Sequence, residues 1–135
     1  MLDLTPLAKA LAALDRGLAR WTATPSDEEL RDACIQRFEF TYELSWKMLK
    51  RRLQMDLPDA QAVDAMTWRT LLRTGAEQGL VDNLDAWMLY REKRNITSHT
   101  YDAAKAAEVA AVIPQFAADA HALHDRLAAR GGGDA

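Results

Sequence analysis

Between Arg94 and Tyr101 the chain reads "RNITSHTY", and four of those side chains are suited to work on a phosphodiester. A histidine such as His99 can move a proton near neutral pH, and an arginine such as Arg94 can fork onto phosphate oxygens. Tyr101 offers a hydroxyl and Asn95 a polar neighbour, and the chemistry requires no metal ligand set. Spacing complicates the picture. At roughly 100° per residue, Arg94 and His99 point about 140° apart on an unbroken helix, whereas Asn95 and His99 share a face. Either the helix ends there, or the Arg94 side chain curls around, or a second protomer completes the site. The plain alternative is a solvated helix end with no chemistry.

Other groupings carry less. Lys47, Lys50, Arg51 and Arg52 could meet phosphate or an acidic partner, but such a run is more simply a solvated helix face. His121 and His124, near Asp119 and Asp125, superficially suggest a metal; their i, i+3 spacing lacks a third ligand, so an exposed helix is expected. Trp21, Trp46, Trp68 and Trp87 fall one per amphipathic helix, as in a packed core or interface, and an aromatic ligand cleft is the lesser reading. There is no glycine-rich loop, no G-x-S-x-G and no paired Asp-x-Asp, which argues against nucleotide binding through such motifs.

The elements that must position these residues read as helices throughout. Leu4, Leu7, Leu11, Leu14, Leu18 and Trp21 recur in steps of three and four, which gives one apolar stripe. "TPSDEEL" follows as a start signal, with Ser26 and Glu29 at capping-box spacing. A long second helix is predicted from about Asp27 to about Gln54, with Leu30, Cys34, Phe38, Thr41, Ser45, Met48 and Leu49 inward. Pro58 biases Leu57 away from helical geometry, so residues 56 to 65 read as a connection. Trp68, Leu71 and Leu72 mark a short third helix ending near Gly79, and Asp82 or Asn83 can cap a fourth carrying Leu84, Trp87 and Met88. Asp102 is placed to cap the last helix, in which Pro114 predicts a kink or a change of pitch. Nothing reads as a strand. The expected fold is all-α, an antiparallel bundle of four to five helices.

Composition sets the frame. With 135 residues and 49% hydrophobic content the chain can bury the core of one domain, expected over 1–130 with a flexible tail at 131–135. Seventeen basic against twenty acidic side chains give a net charge of −3, so any RNA contact must be local rather than driven by an overall positive field. The single cysteine, Cys34, sits at an apolar helical position and is expected to be a buried thiol in a reducing compartment. The N-terminus reads neither as a signal nor as a membrane helix, and a cytoplasmic protein is expected.

Two separated segments, "IQRFEFTYELSWKMLKRRL" and "YREKRNITSHTYD", resemble the nucleotidyltransferase substrate-binding proteins of the HEPN superfamily, also known as HepT-like toxins. The resemblance covers nearly the whole chain. It implies a HEPN-like bundle that forms a homodimer, with two Arg-x4-His motifs facing one another across a cleft, and acts as a metal-independent endoribonuclease. Carried onto this sequence, it makes Arg94 and His99 catalytic and Asn95 supporting. It also makes Tyr101 the acceptor of AMP from a cognate MNT-type nucleotidyltransferase antitoxin. No cofactor is implied. The same resemblance carries an alternative, a noncatalytic subunit that presents substrate to the nucleotidyltransferase.

Overall fold

The computed structural model describes residues 1–132, with side chains through Arg130. The sequence reading of α1 holds: this helix spans Thr5–Ala23 and buries Leu7, Leu11 and Leu14. Helix α2 spans Glu28–Asp56. Its cap is Asp27 rather than Ser26, because the Asp27 carboxylate sits at the residue before the first helical turn and accepts from the backbone of Glu29 at 2.9 Å and Leu30 at 3.1 Å. The helix stops where Leu57 turns extended, with ψ at 152°, ahead of Pro58.

The segment expected to be a mere connection contains one helical turn, α3, over Ala60–Asp64. Asp59 caps it through Gln61 and Ala62, and its purpose in packing is to bury Val63. Helix α4 covers Trp68–Glu77 and is capped by the Thr67 hydroxyl. Gly79, at φ +77°, lets the chain reverse so that the Leu80 amide reaches the Gly75 carbonyl at 2.9 Å. Asn83 then caps α5, Leu84–Asn95. A 3₁₀ turn, Thr97–His99, follows, and Asp102 caps α6, Ala103–Gly132. Pro114 lies inside α6 without ending it. Helix α6 continues through two of the positions assigned to the expected tail, and positions 133–135 of that tail lie outside the described residues.

The fold is the expected antiparallel all-α bundle, with no strand among the described residues and with α3 as an added single turn. Helix α2 is the hub and packs on α1, α3, α4, α5 and α6. Its rings Phe38 and Tyr42 meet Trp87 and Tyr90 of α5 around Phe116 of α6. Phe116 stands edge-on to Phe38, at 4.8 Å and 88°, and to Tyr90, at 5.2 Å and 84°. Such pairs contribute about 0.5–1.5 kcal/mol each beyond burial, and they fix α5 against α2 and α6. That fixing sets the site, because the last two turns of α5 carry Arg91 and Arg94 alongside the α2 side chains from Glu39 to Lys50.

Candidate active site at the end of helix α5

Arg94 is anchored rather than loose. Its Nε donates to Glu43 Oε1 at 2.6 Å, and Glu43 Oε2 accepts from the Trp46 indole at 3.0 Å. Glu39, one turn earlier on α2, lies 3.6 Å from an outer guanidinium nitrogen, too far for a good hydrogen bond. Glu43 therefore fixes the inner edge of the guanidinium through a short charge-assisted bond and leaves the outer edge less firmly held. Neither glutamate stood out in the sequence. Their i, i+4 spacing puts both on one helix face, yet only the packing of α5 on α2 tells which arginine they meet.

The helix ends at Asn95, so the 140° separation of an unbroken helix does not apply. Ile96 bonds back to Lys93, the Thr97 hydroxyl donates to the Arg94 carbonyl at 2.8 Å, and the Thr100 hydroxyl donates to the Thr97 carbonyl at 3.0 Å. Thr97 is buried, and Lys93 reaches Glu108 of α6 at 2.5 Å, so the turn is tied to the body of the bundle. On this support Asn95 and His99 are exposed. Tyr101 is 87% exposed, and its ring centre lies 6.2 Å from that of His99. Within one chain Arg94 engages α2 and His99 is turned to solvent; they share no hydrogen bond among the described contacts.

Tyr90, just before the site, is buried, and its hydroxyl donates to Asp119 of α6 at 2.5 Å. Burial, followed by that bond and the carboxylate charge, pushes its ionisation far above the ordinary tyrosine range. Burial likewise raises Tyr42, against the opposing influence of Arg91.

The other sequence candidates separate. Arg52 is buried rather than solvated, because its guanidinium grips Asp56 at 2.8 Å from the inner face of α2, and Lys50 pairs with Asp64; only Lys47 and Arg51 fit the exposed face expected for the run. His121 reaches Asp15 of α1 at 2.7 Å and His124 its neighbour Asp125 at 3.2 Å, and no three metal-ligating side chains gather among the described residues. Trp87 is fully in the core, while Trp21, Trp46 and Trp68 are half-buried. Cys34 is buried, which raises its thiol. No helix among the described residues is long and apolar enough to cross a membrane.

Fold and site together define an all-helical bundle with an Arg, His and Tyr cluster at one helix end. Residues 2–129 match the family described as "Nucleotidyltransferase substrate binding protein like", and the chain belongs to that family. It is 44% identical over 96 residues to a Haemophilus influenzae protein described as "Probable ribonuclease HepT". That match covers 71% of this chain and 66% of the relative, so it spans just under two thirds of the relative's length. Among solved structures, HI0074 of Haemophilus influenzae superposes with a TM-score of 0.88 at 34% identity, over 93% of this chain and 98% of that one. It is described as having the fold of a substrate binding domain of a nucleotidyltransferase. A Thermus thermophilus protein superposes with a TM-score of 0.74 at 28% identity, over 90% of this chain and 98% of that one.

Proposed function

We propose that this chain is a metal-independent endoribonuclease, the toxin of a toxin–antitoxin pair acting in the cytoplasm, with the bundle 1–130 working as one HEPN-like domain. The observation that carries the proposal is the pairing of an arginine held by Glu43 with an exposed histidine and tyrosine just past the same helix end. Resemblance to a protein described as a ribonuclease supports it.

In this mechanism one His99 takes the proton from a ribose 2′-hydroxyl, and the freed oxygen attacks the adjacent phosphorus. The outer edge of Arg94 stabilises the charge that grows on the phosphorane-like transition state, with Asn95 supporting its orientation. The bond to the 5′-oxygen breaks, that oxygen takes a proton from a second acid, and the products are a 2′,3′-cyclic phosphate and a 5′-hydroxyl. Each chain has one motif histidine, so a homodimer supplies acid and base from a single sequence position. A groove of about 970 Å³ between α1 and α2, bordered by Glu39 and Glu43 and by the 61% exposed Phe40, offers a second copy an apolar seat next to the site.

Tyr101 serves as the regulatory acceptor. Its hydroxyl oxygen attacks the α-phosphorus of ATP held by an MNT-type nucleotidyltransferase, pyrophosphate leaves, and the hydroxyl proton is lost. The added phosphate puts bulk and negative charge beside His99, where the RNA backbone must approach.

A second reading has its own support in the description of HI0074: a noncatalytic subunit that presents substrate to a nucleotidyltransferase. Incubating the purified chain and His99→Ala with cellular RNA in EDTA separates the two. Fragments with 2′,3′-cyclic phosphate ends from the parent alone support the nuclease, and intact RNA in both supports the subunit. Silencing by the partner should fail with Tyr101→Phe; silencing that persists without modification removes Tyr101 from its role.

A further inference from the structure

One turn before Arg94 on α5, Arg91 opens onto a cleft of about 290 Å³ lined by Trp46, Lys50, Met66, Trp68, Leu71 and Arg91. We propose that this cleft is a nucleotide subsite that holds one base, with its phosphate, of the RNA strand whose cleaved bond lies at Arg94 and His99. The proposal rests on the ribonuclease reading for the identity of the strand, and on the cleft itself for the chemistry of the ligand.

Three features carry it. The walls join the two kinds of group a nucleotide needs, half-buried indoles and cations, with Met66 and Leu71 closing the apolar floor. Indole faces stack on any base, and ammonium or guanidinium groups meet its phosphate. Second, the Arg91 guanidinium lies 4.9 Å over the Trp68 ring, so a cation already stands against an aromatic wall of the cleft. Third, the cleft is wired to the candidate active site: Trp46 donates to the Glu43 carboxylate that also holds Arg94. Arg91 and Arg94 are three residues apart on α5, about 4.5 Å along the axis, a step short enough for neighbouring parts of one strand.

The volume favours a single nucleotide, since it falls at the small end of the ~300–1,000 Å³ typical of ligand pockets. Charge agrees. The chain as a whole is acidic, yet the two charged residues that line this cleft, Lys50 and Arg91, are both cations. The exposed Arg69 also lies 5.4 Å from the Trp68 ring. Lys50 is now paired with the largely exposed Asp64 at 2.9 Å, an ion pair that a phosphate can replace at little cost. Local positive charge around an aromatic platform is how a protein of net charge −3 would hold single-stranded RNA.

The test is fluorescence anisotropy of the intact protein with a labelled 2′-O-methyl RNA oligonucleotide, which lacks the attacking hydroxyl and is not cut. Trp68→Leu should weaken binding about 10-fold or more, Trp68→Phe should regain most of it, and Lys50→Gln should weaken it and flatten its salt dependence. Circular dichroism melts confirm that each variant is folded. Unchanged affinity in folded Trp68→Leu and Lys50→Gln, with Arg94→Ala weakened, overturns the subsite and leaves the ribonuclease reading standing. If the parent binds no oligonucleotide, an AMP titration decides. AMP binding lost in Trp68→Leu assigns the cleft to a free nucleotide and overturns the strand assignment, and no AMP binding overturns the subsite altogether.

Discussion

Glu43 and Arg94 stand 51 residues apart in the chain and 2.6 Å apart in space. The carboxylate uses its two oxygens on two different elements of the site, one on the Arg94 guanidinium and one on the Trp46 indole. It orients the proposed transition-state arginine as a second carboxylate orients a catalytic base, by leaving it one low-energy position.

Glu43→Gln should therefore lower RNA cleavage about 10- to 100-fold, mainly in kcat, while the fold survives, because the amide can still accept from Arg94 but no longer balances its charge. Glu39→Gln, whose oxygen lies 3.6 Å from Arg94, should cost much less. Single-turnover kinetics of the two variants checks this ordering, and equal losses would remove the special role of Glu43.

Tyr90→Phe should destabilise the protein by about 1–2 kcal/mol, since it deletes a bond to a charged acceptor, Asp119, whose oxygen can still turn to water. The cost should appear in urea melts. Cleavage should hardly change, because the hydroxyl is buried away from the exposed His99 and Tyr101.

How much was legible in the sequence depended on the range of the interaction. Local signals came through: the leucine stripe of α1, the stop before Pro58, the Asn83 and Asp102 caps and the Gly79 turn are all set by residues within a few positions of one another. The capping box at Ser26 failed because Asp27 competed for the same orphan amides one residue later. Helix α3 escaped notice because a single turn has no period to detect. The burial of Arg52 among exposed lysines and arginines depends on where Asp56 and Arg130 come together, 74 residues apart. For the site, residue types pointed to Arg94, Asn95, His99 and Tyr101, but the carboxylates behind Arg94 and the cleft beside Arg91 arise only from packing α5 on α2 and α4.

Gly79→Ala tests one of those local signals. The glycine holds φ at +77° with no atom within 4 Å of where a Cβ would stand, so the penalty is conformational rather than steric. Placing an L side chain in the left-handed region costs about 1–2 kcal/mol. A melt that showed no loss would mean the turn adopts another conformation.

Asp56 links three elements near the far end of α2. The Arg52 guanidinium donates twice to one oxygen, at 2.8 and 3.1 Å, and Arg130 of α6 reaches the other at 3.0 Å while also bonding the Gln78 carbonyl beyond α4. Burial alone would raise the Asp56 carboxyl, but the two arginines outweigh it and hold it below its ordinary value of 3.8. A carboxyl whose folded pKa is depressed stabilises the fold fully above its unfolded value and loses that contribution as the pH falls through the folded one. Asp56→Asn should thus cost about 1–3 kcal/mol at neutral pH. The gap between parent and variant should stay level down to the ordinary value of 3.8 and close below it. Urea melts across that range check it, and a gap that persisted under strong acid would mean that packing, not charge, makes Asp56 matter.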